Sequence, residues 1–430
     1  MSIQASRAVG AAVISVTALL MFVPTAVCGA SGNESLDVTQ LIQVALEVNP
    51  RVRAARARWQ SAEHSIRQNY APNDPTFIYG NVDSPTNGFD RAADHTIAVT
   101  ESFQFPGKAF FQADRARQSA QVARLQYEAV ERDIRAAVET AFYQVSLDSA
   151  LLAVNAENID SLQRVLKVTQ VAYAGSQVTQ TDFISAEFDL ATARQQQKGF
   201  RVNEQNDRTM LNQLMNRPPD APLALDETLV FKPLTIPLDA LGSWAVARRQ
   251  EILEAALTAK SSSTALTLAR LEYAPDFTVG YTFDNYLIPS AGPTPNSLQD
   301  HGWAVGFNLP VFFWIKQRED VRRAASDLEA ARDDLGAIRS QTAAQVTALY
   351  RSARFAYDNA ILYRDTMVPL SRQGFEVALI AYESGKIDFV TLAGALRRSY
   401  DARVNYLQAA NQFMANRVAL EQAVGAPLGE

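Results

Sequence analysis

The chain has 430 residues, 47% hydrophobic and 20% charged, with a formal net charge of -6. That is enough for one large or two medium domains, and it lacks the clustered excess of Lys and Arg with which nucleic-acid binders meet phosphate. A single cysteine, Cys28, excludes an intrachain disulfide framework.

From the N-terminus, Arg7 is followed by an apolar or small-residue run from Ala8 to Val23, then Pro24 and the small-residue segment TAVCGA. This pattern predicts an export signal over residues 1–30. At about 16 residues, the run is shorter than the ~20 a bilayer core needs. Cys28 leaves two outcomes open: acylation as a lipoprotein cysteine, or removal by cleavage after Ala30.

The remainder is written twice. Tyr70-Ala71-Pro72 recurs as Tyr273-Ala274-Pro275, an offset of 203, and Phe103-Gln104-Phe105-Pro106 recurs as Phe307-Asn308-Leu309-Pro310, an offset of 204. Ala172-Tyr173 returns as Ala381-Tyr382, and Leu211, Gln213 and Pro218 return as Leu420, Gln422 and Pro427, all at an offset of 209. Ordered landmarks with so little drift indicate an internal duplication. The first repeat is expected over residues 31–216 and the second over 238–430. A Pro-rich linker at 217–237 contains Pro218, Pro219, Pro222, Pro233 and Pro237.

Each repeat opens in helix-forming composition, at 38–69 and 238–272, and then switches to a period of two. Phe277, Val279, Tyr281 and Phe283 alternate with Thr278, Gly280, Thr282 and Asp284; Trp303, Val305, Phe307 and Leu309 alternate with small or polar residues. Ile97, Val99, Phe103 and Phe105 repeat the pattern, with Glu101 the one misfit. One β-hairpin per repeat is predicted, at 76–105 and 276–309, with exposed loops at 84–94 and 286–300.

After Pro106 and Pro310 the helix period returns. Residues 108 to 173 contain neither proline nor glycine, predicting a rod over 108–172 of roughly 100 Å. The second rod, over 315–381, is interrupted only at Gly336, Pro369 and Gly374. Each rod ends in a turn containing Gly175 or Gly385, followed by a shorter helix at 179–215 or 388–424.

The strands are about the 9 to 11 residues that cross an outer membrane when tilted, and aromatic residues gather at their ends: Trp303, then Phe312, Phe313 and Trp314, with Phe110 and Phe111 in the other copy. Four strands cannot close a barrel with a lumen, and an open sheet would leave polar edges in lipid. Closure therefore requires an oligomer.

In these duplicated halves, with the strand-to-helix seam at Pro106, Gly107 and Pro310, the Tyr-x-x-Gly turn at Tyr382 to Gly385 and its counterpart at Tyr173, where Gly175 comes one position early, the whole mature chain resembles the TolC family of outer-membrane efflux proteins. The phrase FPGKAFFQADRAR is similar to its heavy-metal (CzcC-like) branch. The resemblance implies an α+β membrane protein: a homotrimer with one outer-membrane β-barrel of four strands per chain and a long α-helical periplasmic barrel. It implies two partners, a periplasmic adaptor (membrane fusion) protein and an inner-membrane pump of the proton-driven resistance-nodulation-division type. The adaptor would meet Tyr173, Gly175, Tyr382 and Gly385 at the periplasmic tip.

Asp182 and Asp388 lie just behind those turns. They read either as carboxylate rings that favour cations at a constriction or as acids that stabilise helix N-termini. Gly107-Lys108 is not a phosphate loop, since position 102 is serine and position 109 alanine. No Gly-x-Ser-x-Gly, His-Glu-x-x-His or Cys-x-x-Cys occurs, so no catalytic residue, cofactor or metal ligand set is expected. Two other readings remain: a soluble periplasmic coiled-coil scaffold, and a duct for secreted proteins.

Overall fold

The computed structural model describes residues 36–84, 92–226, 233–288 and 296–428. The export signal and Cys28 lie outside these residues. The first repeat runs α1 (Val38–Val48), α2 (Pro50–Tyr70), β1 (Thr76–Ser84), β2 (Ala92–Phe103), α3 (Lys108–Ala174) and α4 (Gln180–Leu214). The second runs α5 (Leu238–Arg248), α6 (Gln250–Leu271), β3 (Asp276–Ile288), β4 (Asn296–Asn308), α7 (Lys316–Leu362), a π-helical turn (Tyr363–Met367), α8 (Val368–Glu383) and α9 (Phe389–Val424).

The opening segment of each repeat is two helices where composition indicated one. Asn49 is extended (φ -66, ψ 126), because the ring of Pro50 crowds the residue before it out of the helical region. Its side chain caps α2 by accepting from Arg51 N at 2.9 Å and donates to Leu214 O at 2.8 Å. The C-terminus of α4 therefore abuts the start of α2, and the two run along α3, a single helix of 67 residues. The second repeat breaks at Arg249 with the same extended backbone and no proline; there Gly425, the left-handed residue that ends α9, lies so close that a Cβ on it would reach the Arg249 backbone.

The second rod also differs from expectation. Gly336 and Gly374 sit within regular helix, while the interruption is the π turn at 363–367. Pro369 supplies the cause: it has no N–H to donate, and its ring crowds the carbonyl of Asp365, so the helix widens by one residue before it.

Alternating helical steps bury one side of α3. Ile134, Val138, Phe142 and Val145 pack with Leu41, Ile42 and Ala45 of α1 and Leu211 of α4. Further along, Ile159, Leu162 and Val165 pack with Leu190 of α4, Phe375 of α8 and Leu392 of α9. Burying each of these large side chains contributes about 1.5–3 kcal/mol, so the two helical hairpins are held as one body to the tip.

The strands form one antiparallel sheet in the order β1-β2-β3-β4, with β2 and β3 joining the repeats. Phe77, Val99, Tyr281 and Trp303 make one transverse row, and Tyr79, Ile97, Phe283 and His301 the next. Phe103, Phe277 and Phe307 form the row nearest the helices. All lie on one face, over roughly 20 Å of strand, and the face is bare: Phe77 is 67%, Phe307 65% and Trp303 78% exposed. The opposite face carries Thr76, Thr100, Gly280 and Ala304 in register. Trp303 thus lies within the band, not at a strand end. The strands also reach further into the expected loops, to Ile288 and from Asn296 and Ala92, since a backbone ladder continues whatever the polarity of its side chains. Among the described residues no helix is long and apolar enough to cross a membrane; the apolar surface is on the sheet.

Candidate functional site

Two regions position the residues singled out from sequence: the seam between sheet and helices, and the far tip. At the first seam Gly107 adopts φ +105 and ψ -32 as the residue preceding α3, a conformation closed to most side chains. Pro106-Gly107 closes a tight turn, with Lys108 N donating to Phe105 O at 3.1 Å. The turn aims Lys108 inward, where it is 2% exposed. Its Nζ donates to Asp276 Oδ1 (2.9 Å), Ala274 O (3.2 Å) and Glu272 Oε2 (3.4 Å). Asp276 Oδ1 also accepts from Phe105 N at 2.7 Å. The second repeat's Tyr-Ala-Pro-Asp thereby locks the first repeat's Phe-Pro-Gly-Lys. Sequence reading missed Lys108 and Asp276, although a lysine placed beside a glycine turn and an acid directly before a strand were visible signals.

The second seam is built differently. Counting 204 onward from Lys108 reaches Phe312, which is exposed together with Leu309, Val311, Phe313, Trp314 and Ile315. Pro310 therefore follows its strand beside an aromatic collar, and Phe312 stands where the first seam has its lysine.

At the tip, the two turns have matching hydrogen bonds. Ser176 N donates to Tyr173 O and Gln177 N to Ala172 O; Gly385 N donates to Tyr382 O and Lys386 N to Ala381 O. The left-handed residue is Gly385 (φ +71) in one and Ser176 (φ +58) in the other, while Gly175 keeps an ordinary φ of -80. The early glycine of the first turn is thus a neighbour of the strained position. Tyr173 is exposed and stacks on Phe183 at 5.9 Å. Tyr382 is buried, with its hydroxyl 3.3 Å from Thr169 Oγ1 and its ring edge-on to Phe389. It braces the turn from beneath and offers no surface.

Asp182 and Asp388 both cap helices. Asp182 Oδ2 accepts from Thr179 N at 3.0 Å, and Thr179 Oγ1 accepts from Asp182 N at 3.2 Å, a reciprocal capping box. Asp388 Oδ1 accepts from Thr391 N at 2.9 Å. Hydrogen bonds from the Thr391 side chain and backbone hold the Asp388 carboxyl below the usual range. Asp182 also lines a groove over α3 between α4 and α9, shared with Phe188, Asp189, Arg397 and Asp401.

Residues 41–217 and 241–426 match the family described as outer membrane efflux protein. The chain belongs to this family. A relative 21% identical over 340 residues, covering 77% of each chain, is the cobalt-zinc-cadmium resistance protein CzcC of Cupriavidus metallidurans. Among solved structures, the outer-membrane channel OprN superposes with a TM-score of 0.77 at 16% identity, over 91% of this chain and 90% of that one. The Campylobacter jejuni CmeC outer membrane channel gives 0.75 at 14% identity, over 91% and 87%. The open-state MtrE channel of Neisseria gonorrhoeae gives 0.74 at 16% identity, over 91% and 89%.

This efflux protein is therefore an outer-membrane channel component with a large periplasmic helical portion. Within that portion one buried acid stands out. Asp148 of α3 is 3% exposed, its Oδ2 has no hydrogen-bond partner, and burial together with hydrogen bonding to Asp207 raises its carboxyl to about 7. Glu204, which accepts from Ser149 and Arg208, adds further repulsion. A raised carboxyl binds its proton more tightly folded than unfolded, so the contribution of Asp148 to stability is greatest in acid, declines as pH rises from about 4 to 7, and levels off above that. Asp148→Asn should remove that contribution and raise the melting temperature more at pH 8 than at pH 5. An equal change at both values would refute a raised Asp148 carboxyl.

Proposed function

We propose that three copies of this chain close one twelve-strand barrel in the outer membrane and continue as a helical tunnel across the periplasm. The tunnel receives solutes from a periplasmic adaptor and an inner-membrane pump of the proton-driven resistance-nodulation-division type. The observation that supports this reading is the open four-stranded sheet, apolar and bare on one face, small and polar on the other, continuous with a helix of about 100 Å. Such a face has no place in a soluble scaffold. The duct performs no bond chemistry: the pump supplies energy, and the chain supplies a hydrated path. At the tip, Tyr173, Gly175 and Gly385 meet the adaptor, with Tyr382 supporting them from below.

The proposed cargo is divalent metal cations, a reading supported by the cobalt-zinc-cadmium resistance relative. Deleting the gene should make cells sensitive to cobalt, zinc and cadmium, with restoration by the intact chain. Unchanged metal tolerance alongside new sensitivity to organic drugs would overturn the cargo assignment. Repeated around a three-fold axis, Asp388 would present a carboxylate ring favouring cations. Asparagine caps helices as well as aspartate does, so Asp388→Asn separates charge from folding. Its expected effect is a lower cation preference in the reversal potential of planar bilayers under a salt gradient, and an unaltered reversal potential would remove Asp388 from the selectivity path.

A further inference from the structure

The bare apolar face of the sheet is too short for the membrane. Its rows run from Phe103, Phe277 and Phe307 at the helix end to Tyr79, Ile97, Phe283 and His301, a span of roughly 20 Å along a strand. A tilt of about 40° leaves about 15 Å of height, against the ~25 Å apolar band of an outer-membrane barrel. The next row outward on the same face is Asn81, His95, Asn285 and Gln299, all polar, so the missing height is not on that side. Hydrocarbon must therefore reach past Phe307 onto the seams.

The two seams differ there. In the first, Lys108 turns inward to Asp276, and of the two phenylalanines that follow, Phe110 is exposed and Phe111 half-buried. In the second, Leu309, Val311, Phe312, Phe313, Trp314 and Ile315 are all between 48% and 66% exposed. Trp314 stands edge-on to Phe312 (6.1 Å) and Phe313 (5.2 Å), and Phe313 leans on Tyr273 at 6.3 Å, so these side chains make one patch. Leu309 keeps the parity of Trp303, Val305 and Phe307, and the patch continues the bare face of β4.

Cations follow directly. Lys316 and Arg318 open α7 and are exposed. Among the described residues neither has an ion-pair partner, whereas Arg322 and Arg323 just beyond them pair with Glu319 (2.8 Å) and Asp320 (3.1 Å). Basic side chains in a first helical turn oppose the helix dipole, so the helix gains nothing from them. Subtracting 204 from each position gives Gln112 and Asp114, so the first repeat has no equivalent pair.

We propose that the second seam binds an anionic phospholipid of the periplasmic leaflet, with Leu309 to Ile315 among its acyl chains and Lys316 and Arg318 holding its phosphate. The order along the chain matches the order of a lipid met from the hydrocarbon outward: acyl chain, then phosphate. Ammonium and guanidinium both donate charge-assisted hydrogen bonds to phosphate oxygens. The site needs only the outer-membrane location, and is independent of the cargo and of the number of copies in the channel.

The test is fluorescence quenching of the full chain in phosphatidylethanolamine vesicles, with acyl chains brominated on a second lipid. Trp303→Phe leaves Trp314 as the one tryptophan of the sheet and seams, and the chain with both Trp303→Phe and Trp314→Phe supplies the background from Trp59 and Trp244. Brominated phosphatidylglycerol should quench Trp314 with at least ~5-fold higher relative affinity than brominated phosphatidylcholine, the attraction expected of one basic side chain at an anionic surface. Salt at about 1 M should remove most of that preference, a check that needs no substitution in the site. Adding Lys316→Gln and Arg318→Gln should bring the two lipids to parity while quenching itself persists, because the apolar patch is intact. Quenching by neither lipid would overturn the proposal by showing that protein, a second copy or another partner, covers the patch. Equal quenching by both in the Trp303→Phe chain would overturn the phosphate site and leave a plain apolar girdle. A phosphatidylglycerol preference that survives the loss of both cations would remove Lys316 and Arg318 from it.

Discussion

Replacing Lys108 with alanine should destabilise the chain by about 2–4 kcal/mol, the range for removing one partner from a buried ion pair after allowing for partial solvation of the other. Lys108 is 2% exposed, whereas its partners Asp276 and Glu272 are 33% and 45% exposed, so the stranded carboxylates can recover part of their hydration. The larger loss is geometric. Asp276 Oδ1 accepts from both Lys108 Nζ and Phe105 N, and with the ammonium gone, only the Phe105 N bond ties this carboxylate to the turn before α3. Two comparisons identify the source of the cost. Asp276→Asn keeps a carbonyl oxygen for Phe105 N, so it should cost less than Lys108→Ala. Combining Lys108→Met with Asp276→Asn removes the uncompensated charge and should also cost less. The measurement is denaturant unfolding of the detergent-solubilised protein, together with its yield in outer membranes. A double variant as unstable as Lys108→Ala would mean that the lysine acts by filling space.

Gly425→Ala should be more damaging still. Gly425 has φ +78, and a Cβ there would lie 2.8 Å from Arg249 Cα and 3.0 Å from both Arg248 O and Arg249 N. These are backbone atoms at the break between α5 and α6, so no side chain can swing away. The left-handed conformation alone costs a non-glycine residue roughly 1–2 kcal/mol, and the overlap adds an overpacking cost of about 1–3 kcal/mol. Gly385→Ala supplies the control: φ there is +71 and nothing lies within 4 Å of the added carbon. It should lose only the conformational part. Equal losses at the two positions, measured by thermal unfolding, would show that the α9 end does not clamp the α5–α6 break.

Both expectations concern features that periodicity does not reveal. The two repeats, the alternation of the strands and the length of α3 were legible in sequence because each is a local repeat: a period of two, a period near 3.6, and an offset near 204. The apolar face of Phe77, Val99, Tyr281 and Trp303 follows from alternation alone once the strands align. The capping box of Thr179 and Asp182 was equally open to reading, as was the break before Pro50.

Other features required the folded chain. No proline marks the break at Arg249, and the end of α9 that lies against it comes some 176 residues later (425 minus 249). The π turn needs a proline inside a helix that packing keeps intact. Tyr173 and Tyr382 share a motif and have opposite fates, one at the surface and one beneath it, because only the second faces Thr169 and Phe389.

By itself, then, the sequence determined the duplication, the kinds of element, their order and the faces of the strands, since these depend on spacing along the chain. The tertiary structure alone decided that Lys108 reaches across the repeats to Asp276, that Asp148 is buried against Asp207, and that Gly425 abuts Arg249. Each of these joins residues more than 50 positions apart, and what the side chains cost or contribute is set by the burial and partners they meet there.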